Sequence, residues 1–356
     1  MMEKFIKPRS VEQKEGKTEE EILNTVYELQ ENDEKKFSDF ASKTEVLYGK
    51  KPEDIFALNK FFKQKEIQKV KNEINPLEFS SQNGGLYDPK LVNDHLEIAR
   101  KRRKKFDQID RAKIESFIEH NQVNLAKEFF KKQLLAQSFE DVLPCLVNKY
   151  ALFGEHTNAY KTCDYDDMEN GIDMILEYSD DNKDKNGVIA NSYAGVGIDL
   201  CIGNTETVES KVNNIRNKLW RDESYKVDYF KSKSGYMGGL NNLARVVVSG
   251  STNTALMLSE AYMHNEKNGT KRDIQNYRFM TQSLEEILLQ IKYYKKETDD
   301  QNILNQYNLI QHNTEKVLAQ RIKKMGEEKY LQLRQSYDRG YYALKDALEE
   351  SYNSEN

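Results

Sequence analysis

Two short apolar runs, each interrupted by carboxylates, constrain this chain more than anything else in it. They read Gly171-Ile172-Asp173-Met174-Ile175-Leu176-Glu177-Tyr178 and Gly195-Val196-Gly197-Ile198-Asp199-Leu200-Cys201-Ile202-Gly203. A carboxylate inside an apolar strand must find a partner, usually a cation. Strand side chains alternate between faces, so Asp173, Ile175 and Glu177 share one face of the first run. On the second, Asp199 stands between Gly197 and Cys201. If the strands are neighbours, Asp173 and Asp199 converge, and the small residues beside Asp199 are expected to leave room for an ion. The residues alone fit a metal site, the solvated ends of a two-stranded ribbon, or acids salt-bridged to Lys or Arg.

The rest of the chain is mostly helical in pattern. Of 356 residues 32% are charged, with only 17 glycines and 5 prolines, which suits long solvated helices rather than an all-β fold. No stretch approaches eighteen apolar residues, and Met1-Met2-Glu3-Lys4-Phe5 opens no apolar segment. The expectation is neither a membrane span nor a secretion signal. Cys145, Cys163 and Cys201 form no C-x-x-C pair, which argues against a disulfide framework or zinc knuckle and for a cytoplasmic location.

Three regions are expected. Residues 1–137 read as a helical N-terminal region, with stripes at Ile22, Val26 and Leu29, at Ile55, Leu58 and Phe62, and at Ile67, Val70 and Ile74. Residues 138–266 read as an α/β core. It holds a short helix from Phe139 to Leu152, the acidic strands, a helix from Glu206 to Trp220, and strands at Lys226–Phe230 and Ala244–Ser249. Residues 267–356 read as a helical hairpin, with stripes at Leu284, Ile287, Leu288 and Ile291, then at Ile303, Tyr307, Ile310, Thr314 and Val317. Asp164, Asp166 and Asp167 form an acidic cluster that reads as a loop or helix cap, with Asp164 a weak metal candidate. No H-E-x-x-H, G-x-S-x-G, Walker or Rossmann pattern is present.

From Phe139 to Ser249, about a third of the chain, the order helix, three strands, helix, strand, with acids on the second and third strands, resembles the PD-(D/E)XK nuclease superfamily. The resemblance implies an α/β (α+β) fold with a restriction-endonuclease-like mixed-sheet core between helical regions. It implies a metal held by Asp173 and Asp199, with Glu155 as the helical acid and Glu177 as a further ligand. The expected cofactor is Mg2+ or Mn2+. Where the family's D-x-K motif should stand, this chain has Asp199-Leu200-Cys201, so the lysine must come from the next helix. Lys211 is preferred over Lys218 because it lies in the first turns.

The implied activity is hydrolysis of a nucleic-acid phosphodiester bond, with DNA favoured over RNA. The run Arg100-Lys101-Arg102-Arg103-Lys104-Lys105 is the expected grip on the backbone, with Phe106, Tyr150 and Tyr160 as stacking surfaces. The helical regions would supply any homo-oligomer contacts. The missing lysine keeps a second reading open: a non-enzymatic interaction protein built on a degenerate core.

Overall fold

The computed structural model describes residues 74–154, 156–180, 192–202, 205–221, 223–233, 235–255, 258 and 270–353. The stripes expected before residue 74, apart from Ile74 itself, and the candidate acid Glu155 lie outside the described residues.

Among the described residues two long helices lead into the sheet. Helix α1 (Pro89–Glu119) starts where the Asp88 carboxylate accepts the Lys90 N–H at 2.7 Å, with Pro89 in the first turn, where a missing N–H costs nothing. Asn121, at a left-handed φ of 56°, turns the chain into helix α2 (Val123–Tyr150). The helix predicted from Phe139 is therefore the second half of a continuous one, and the boundary at residue 137 falls inside it. What changes near Ser138 is burial: Leu125 is 50% exposed, whereas Phe139, Val142, Leu143 and Leu146 are buried. Pro144 has no N–H to offer the Glu140 carbonyl one turn earlier.

Next come β1 (Thr157–Lys161), α3 (Asp164–Asn170), β2 (Met174–Asp180), β3 (Ser192–Ile202), α4 (Thr205–Leu219), β4 (Tyr225–Lys231) and β5 (Met237–Gly250). The strands form one mixed sheet in the order β1-β2-β3-β5-β4. Strands β1, β2 and β3 make an antiparallel meander, β5 runs parallel to β3, and β4 pairs antiparallel with β5 at the edge. Consecutive residues Met174, Ile175 and Leu176 are all wholly buried, so both faces of the sheet are covered, as in sheets flanked by helices. The strand and helix expectations from Glu206 to Ser249 are met by α4, β4 and β5.

Among the described residues four further long elements follow: α5 (Thr270–Tyr294), α6 (Gln301–Met325), α7 (Glu327–Gln335) and α8 (Arg339–Asn353). Both predicted stripes face inward; Leu284, Ile287, Ile291, Ile303, Tyr307, Ile310 and Thr314 are buried. One hydrophobic cluster runs from α2 through the sheet to α5, α6 and α8, so the expected core and C-terminal regions share one interior. Among the described residues no helix is long and apolar enough to cross a membrane.

Strand β4 accompanies β5 only as far as the Tyr225–Leu243 pair. Beyond it, side chains of α5 take the place of a neighbouring strand. Gln290 accepts from the Val247 N–H at 2.7 Å and donates to its carbonyl at 2.6 Å; Glu286 accepts from the Ser249 N–H at 3.1 Å, and Gln282 donates to the Ser249 carbonyl at 3.3 Å. Four helical residues rise about 6 Å and two strand residues about 6.6 Å, so Glu286 and Gln290, four apart, match Ser249 and Val247, two apart, while Gln282 adds a second bond to Ser249. Among the described residues, then, this sheet edge is closed by helix side chains rather than by a strand.

Candidate active site

The β2–β3 register pairs Met174 with Ile198. Continued by one residue, it sets Asp173 opposite Asp199, and the Asp173 N–H donates to the Ile198 carbonyl at 3.0 Å. Asp173 lies just ahead of β2 rather than within it, and its Oδ2 accepts the Leu200 N–H at 2.6 Å. Both acids are buried, Asp173 at 8% exposure and Asp199 at 2%. The predicted convergence is present.

Lys211, in the second turn of α4, reaches down to this pair. Its ammonium bonds Asp199 Oδ1 and donates to the Leu200 carbonyl at 3.1 Å. Lys218, the alternative, sits in the last turn with its ammonium 4.3 Å from the centroid of the Tyr225 ring. The second Asp199 oxygen is taken as well: Arg245 of β5 donates to Oδ2 through Nη2. Asp199 is thus a carboxylate shared by two cations. Burial lowers the Lys211 pKa, but attraction from Asp199 and then Asp173 outweighs it, and the ammonium titrates above its ordinary range.

A second layer of acid surrounds Asp173. Burial, then the neighbouring charges of Asp167 and Asp199, raise the Asp173 pKa well above the usual carboxylate range. Asp167 of α3 is pushed up to about 6 by burial and then by the Glu140 charge. Glu140 of α2 is pushed up to about 7 by burial and by the Asp173 charge. Glu140 is thus a helical acid close enough to feel the Asp173 charge. The sequence carries a signal for it: Glu140 shares the buried face of α2 with Leu143 and Val147.

The raised Glu140 value has a consequence for stability. Its folded-state pKa exceeds the ordinary 4.5, so the folded chain binds more protons between about pH 4.5 and 7 and loses stability as pH rises through that window. Glu140→Gln is expected to raise the melting temperature at pH 8 and leave it nearly unchanged at pH 4. Equal shifts at the two pH values would contradict this origin.

Other candidates are placed elsewhere. Glu177 lies four residues along β2 from Asp173, about 13 Å away by strand rise. Its oxygens accept from the Tyr160 hydroxyl at 2.8 Å and from the Ser232 hydroxyl. It ties strands together and is no ligand of the Asp173 site. Tyr160 is buried by the same bond and offers no stacking surface, while Phe106 is 52% exposed. The glycines beside Asp199 also serve packing: a Cβ on Gly197 would stand 3.0 Å from Leu243 and 3.1 Å from Ile172. The space expected for an ion is filled by those two side chains.

The basic run is split in use. Arg102 donates to Glu169 at 2.8 Å and Arg103 to Asp164 at 2.7 Å, binding α1 to α3. Arg100, Lys101, Lys104 and Lys105 are exposed, with Lys101 paired to Glu97 at 2.6 Å. Asp164 is accordingly a salt-bridge partner at the start of α3.

Among the described residues no group of three or more His, Cys, Asp or Glu side chains is gathered as a metal-ligand set. Asp173, Glu140 and Asp199 are nonetheless carboxylates, the donor type a hard divalent cation takes, and burial followed by neighbouring acid charge raises the pKa values of Glu140 and Asp173. What opposes it is the occupancy of Asp199, both of whose oxygens already face cations. No protein-family model, curated protein or solved structure matches the chain.

Proposed function

We propose that the chain is a metal-dependent nuclease of PD-(D/E)XK type, hydrolysing a nucleic-acid phosphodiester bond with Mg2+ or Mn2+. One observation carries the reading: Asp173 and Asp199, opposite each other at the head of an antiparallel meander, meet a lysine delivered by the following helix. The meander, the crossing helix α4 and the parallel return strand β5 support the same reading as a restriction-endonuclease-like core. Asp173, Asp199 and Glu140 would hold the cation, which would supply positive charge for a scissile phosphate and a more acidic bound water.

The chain's own residues have separable tasks. Lys211, fully protonated, cannot take a proton from water; it holds charge beside Asp199 and suits a phosphate oxygen. Asp173 accepts the Leu200 N–H, which fixes its carboxylate at the head of β2. Calorimetric titration with Mn2+ tests the reading: one site in the parent chain, weakened by Asp173→Asn, is expected, and no site at all would sink it.

A second reading, a non-enzymatic interaction protein, draws on Arg245. With Lys211 it saturates Asp199, as a salt bridge without a metal would. The same titration separates the two.

For the backbone grip, Lys104 and Lys105 are the better probes. Lys104→Glu with Lys105→Glu is expected to flatten the slope of log affinity for DNA against log salt by about two. Charge reversal at Arg102 and Arg103 should in addition lower the melting temperature, because it breaks contacts to α3. An unchanged slope for the lysine pair would show that this part of the run touches no phosphate.

A further inference from the structure

Trp220 is the only tryptophan in the chain, and it stands one residue past the end of α4 with 51% of its surface exposed. Tryptophan is usually well covered in a folded protein, because its ring brings so much apolar area. Here the ring is held without being covered. Its Nε1–H donates to Glu297 Oε2, and the Arg216 guanidinium lies over it, with Cζ 4.5 Å from the centroid. Arg216 in turn donates to the Tyr293 hydroxyl at 3.3 Å. The indole thus ties the end of α4 to the end of α5 and keeps half its surface in solvent. Cations gather at the same two helix ends. Lys292 and Lys296, both exposed, flank Tyr293 in sequence. Lys218 lies against Tyr225, where burial and then the Arg245 charge pull its pKa down, so an anion there would relieve a crowded ammonium. Among the described residues the nearby carboxylates are mostly engaged: Glu297 by the indole, Glu223 by Arg221 at 3.5 Å, and Asp300 by the first turn of α6. Asp299 is the exposed exception.

We propose that Trp220 is a stacking platform for an unpaired base of a single-stranded nucleic acid, with Lys218, Lys292 and Lys296 holding the adjoining phosphates. The inference takes its ligand class from the nucleic-acid reading above and needs neither the metal nor the cleavage step. A ring already fixed at its edge loses little freedom when a base lands on it, and every base has a flat face to offer. With Arg216 on one side of the indole, the other is left for that base. A duplex stacks its base faces on one another, so the surface suits a single strand. An acidic peptide would bring the charge but not the flat face. Lys218 and Arg245 both lie against the Tyr225 ring, at 4.3 Å and 4.8 Å from its centroid, and so continue the cations from Trp220 toward Asp199. Lys211 and Trp220 are separated by about 14 Å of helical rise, a span that a strand of a few nucleotides covers.

The test uses the full chain in EDTA, where the fluorescence of its single tryptophan reports on this position alone. A single-stranded oligothymidylate is expected to quench that fluorescence saturably, and poly-glutamate at the same charge concentration is expected to leave it unchanged. Affinity for the labelled oligonucleotide, read by anisotropy, should fall about tenfold or more in Trp220→Ala and stay close to the parent in Trp220→Phe. Lys292→Glu with Lys296→Glu should flatten the slope of log affinity against log salt by about 1.4. Binding without quenching places the strand elsewhere on the chain and overturns the inference alone. Unchanged affinity in Trp220→Ala, shown to be folded by thermal unfolding, also overturns it. If Trp220→Ala fails to fold, the quench in the parent and the slope of the lysine pair decide, since neither needs that variant. Equal quenching by poly-glutamate overturns the inference in favour of an acidic peptide. Absence of binding by any oligonucleotide overturns it together with the nucleic-acid reading. Saturable quenching without cleavage of any substrate upholds the inference and removes only the nuclease.

Discussion

Asp199→Ala is expected to destabilise the chain by about 3–5 kcal/mol, the cost of removing one partner from a buried ion pair. Asp199 is 2% exposed and is the counter-charge of both Lys211 and Arg245. Without it, two cations face each other beneath α4. Lysine can respond by releasing its proton, because burial already works against its charge. Arginine cannot, so the uncompensated guanidinium carries most of the loss. Replacing all three residues together, Asp199→Leu with Lys211→Met and Arg245→Met, is expected to recover most of the stability, since apolar side chains of similar volume often replace buried ion triads at little cost. Denaturant unfolding of the single and triple variants reads both effects. A single variant as stable as the parent would mean that Asp199 is not the keystone of this cluster.

Gln290→Leu should cost about 2–6 kcal/mol, through a different mechanism. The Gln290 amide satisfies both the N–H and the carbonyl of Val247, which is wholly buried on the side of β5 away from β3, where no strand lies among the described residues. Leucine fills the volume and leaves two backbone groups unpaired, each costing about 1–3 kcal/mol. The loss should be local as well as global, and hydrogen exchange at the Val247 amide should accelerate ahead of amides in β2. Unchanged protection at Val247 would show that the α5 side chains do not close the sheet edge.

The parts of the site that the sequence made legible are those marked by a charge inside an apolar run. Asp173 and Asp199 stood out in this way, and strand alternation was enough to bring them together. Lys211 was separable from Lys218 because helical spacing places one near the strand end and the other two turns away. Arg245 carries the same mark within Ala244-Arg245-Val246-Val247-Val248, and the rule applied to cations as well as acids would have found it. Glu140 was harder: it reads as an ordinary surface acid until the face shared with Leu143 and Val147 is known to be buried. Glu177 obeys the same rule as Asp173 but answers it with hydroxyls from Tyr160 and Ser232, which no local pattern shows. The glycines were misjudged because sequence shows an absent side chain without showing which neighbour fills the gap. Residues 157–161 form β1 in the structure with little apolar pattern of their own, held by pairing to β2. The basic run reads as one surface in sequence, yet Arg102 and Arg103 are spent on α3 because a helix distributes consecutive residues around its axis.

The most direct test of the nuclease reading is cleavage of labelled single-stranded, duplex and branched DNA and of RNA, by the full chain in MgCl2 or MnCl2. The account predicts divalent-dependent cleavage of at least one substrate, abolished by EDTA and reduced by about a hundredfold or more in Asp173→Asn and Lys211→Ala. Cleavage undiminished by Asp173→Asn, or none on any substrate with either metal, would contradict it.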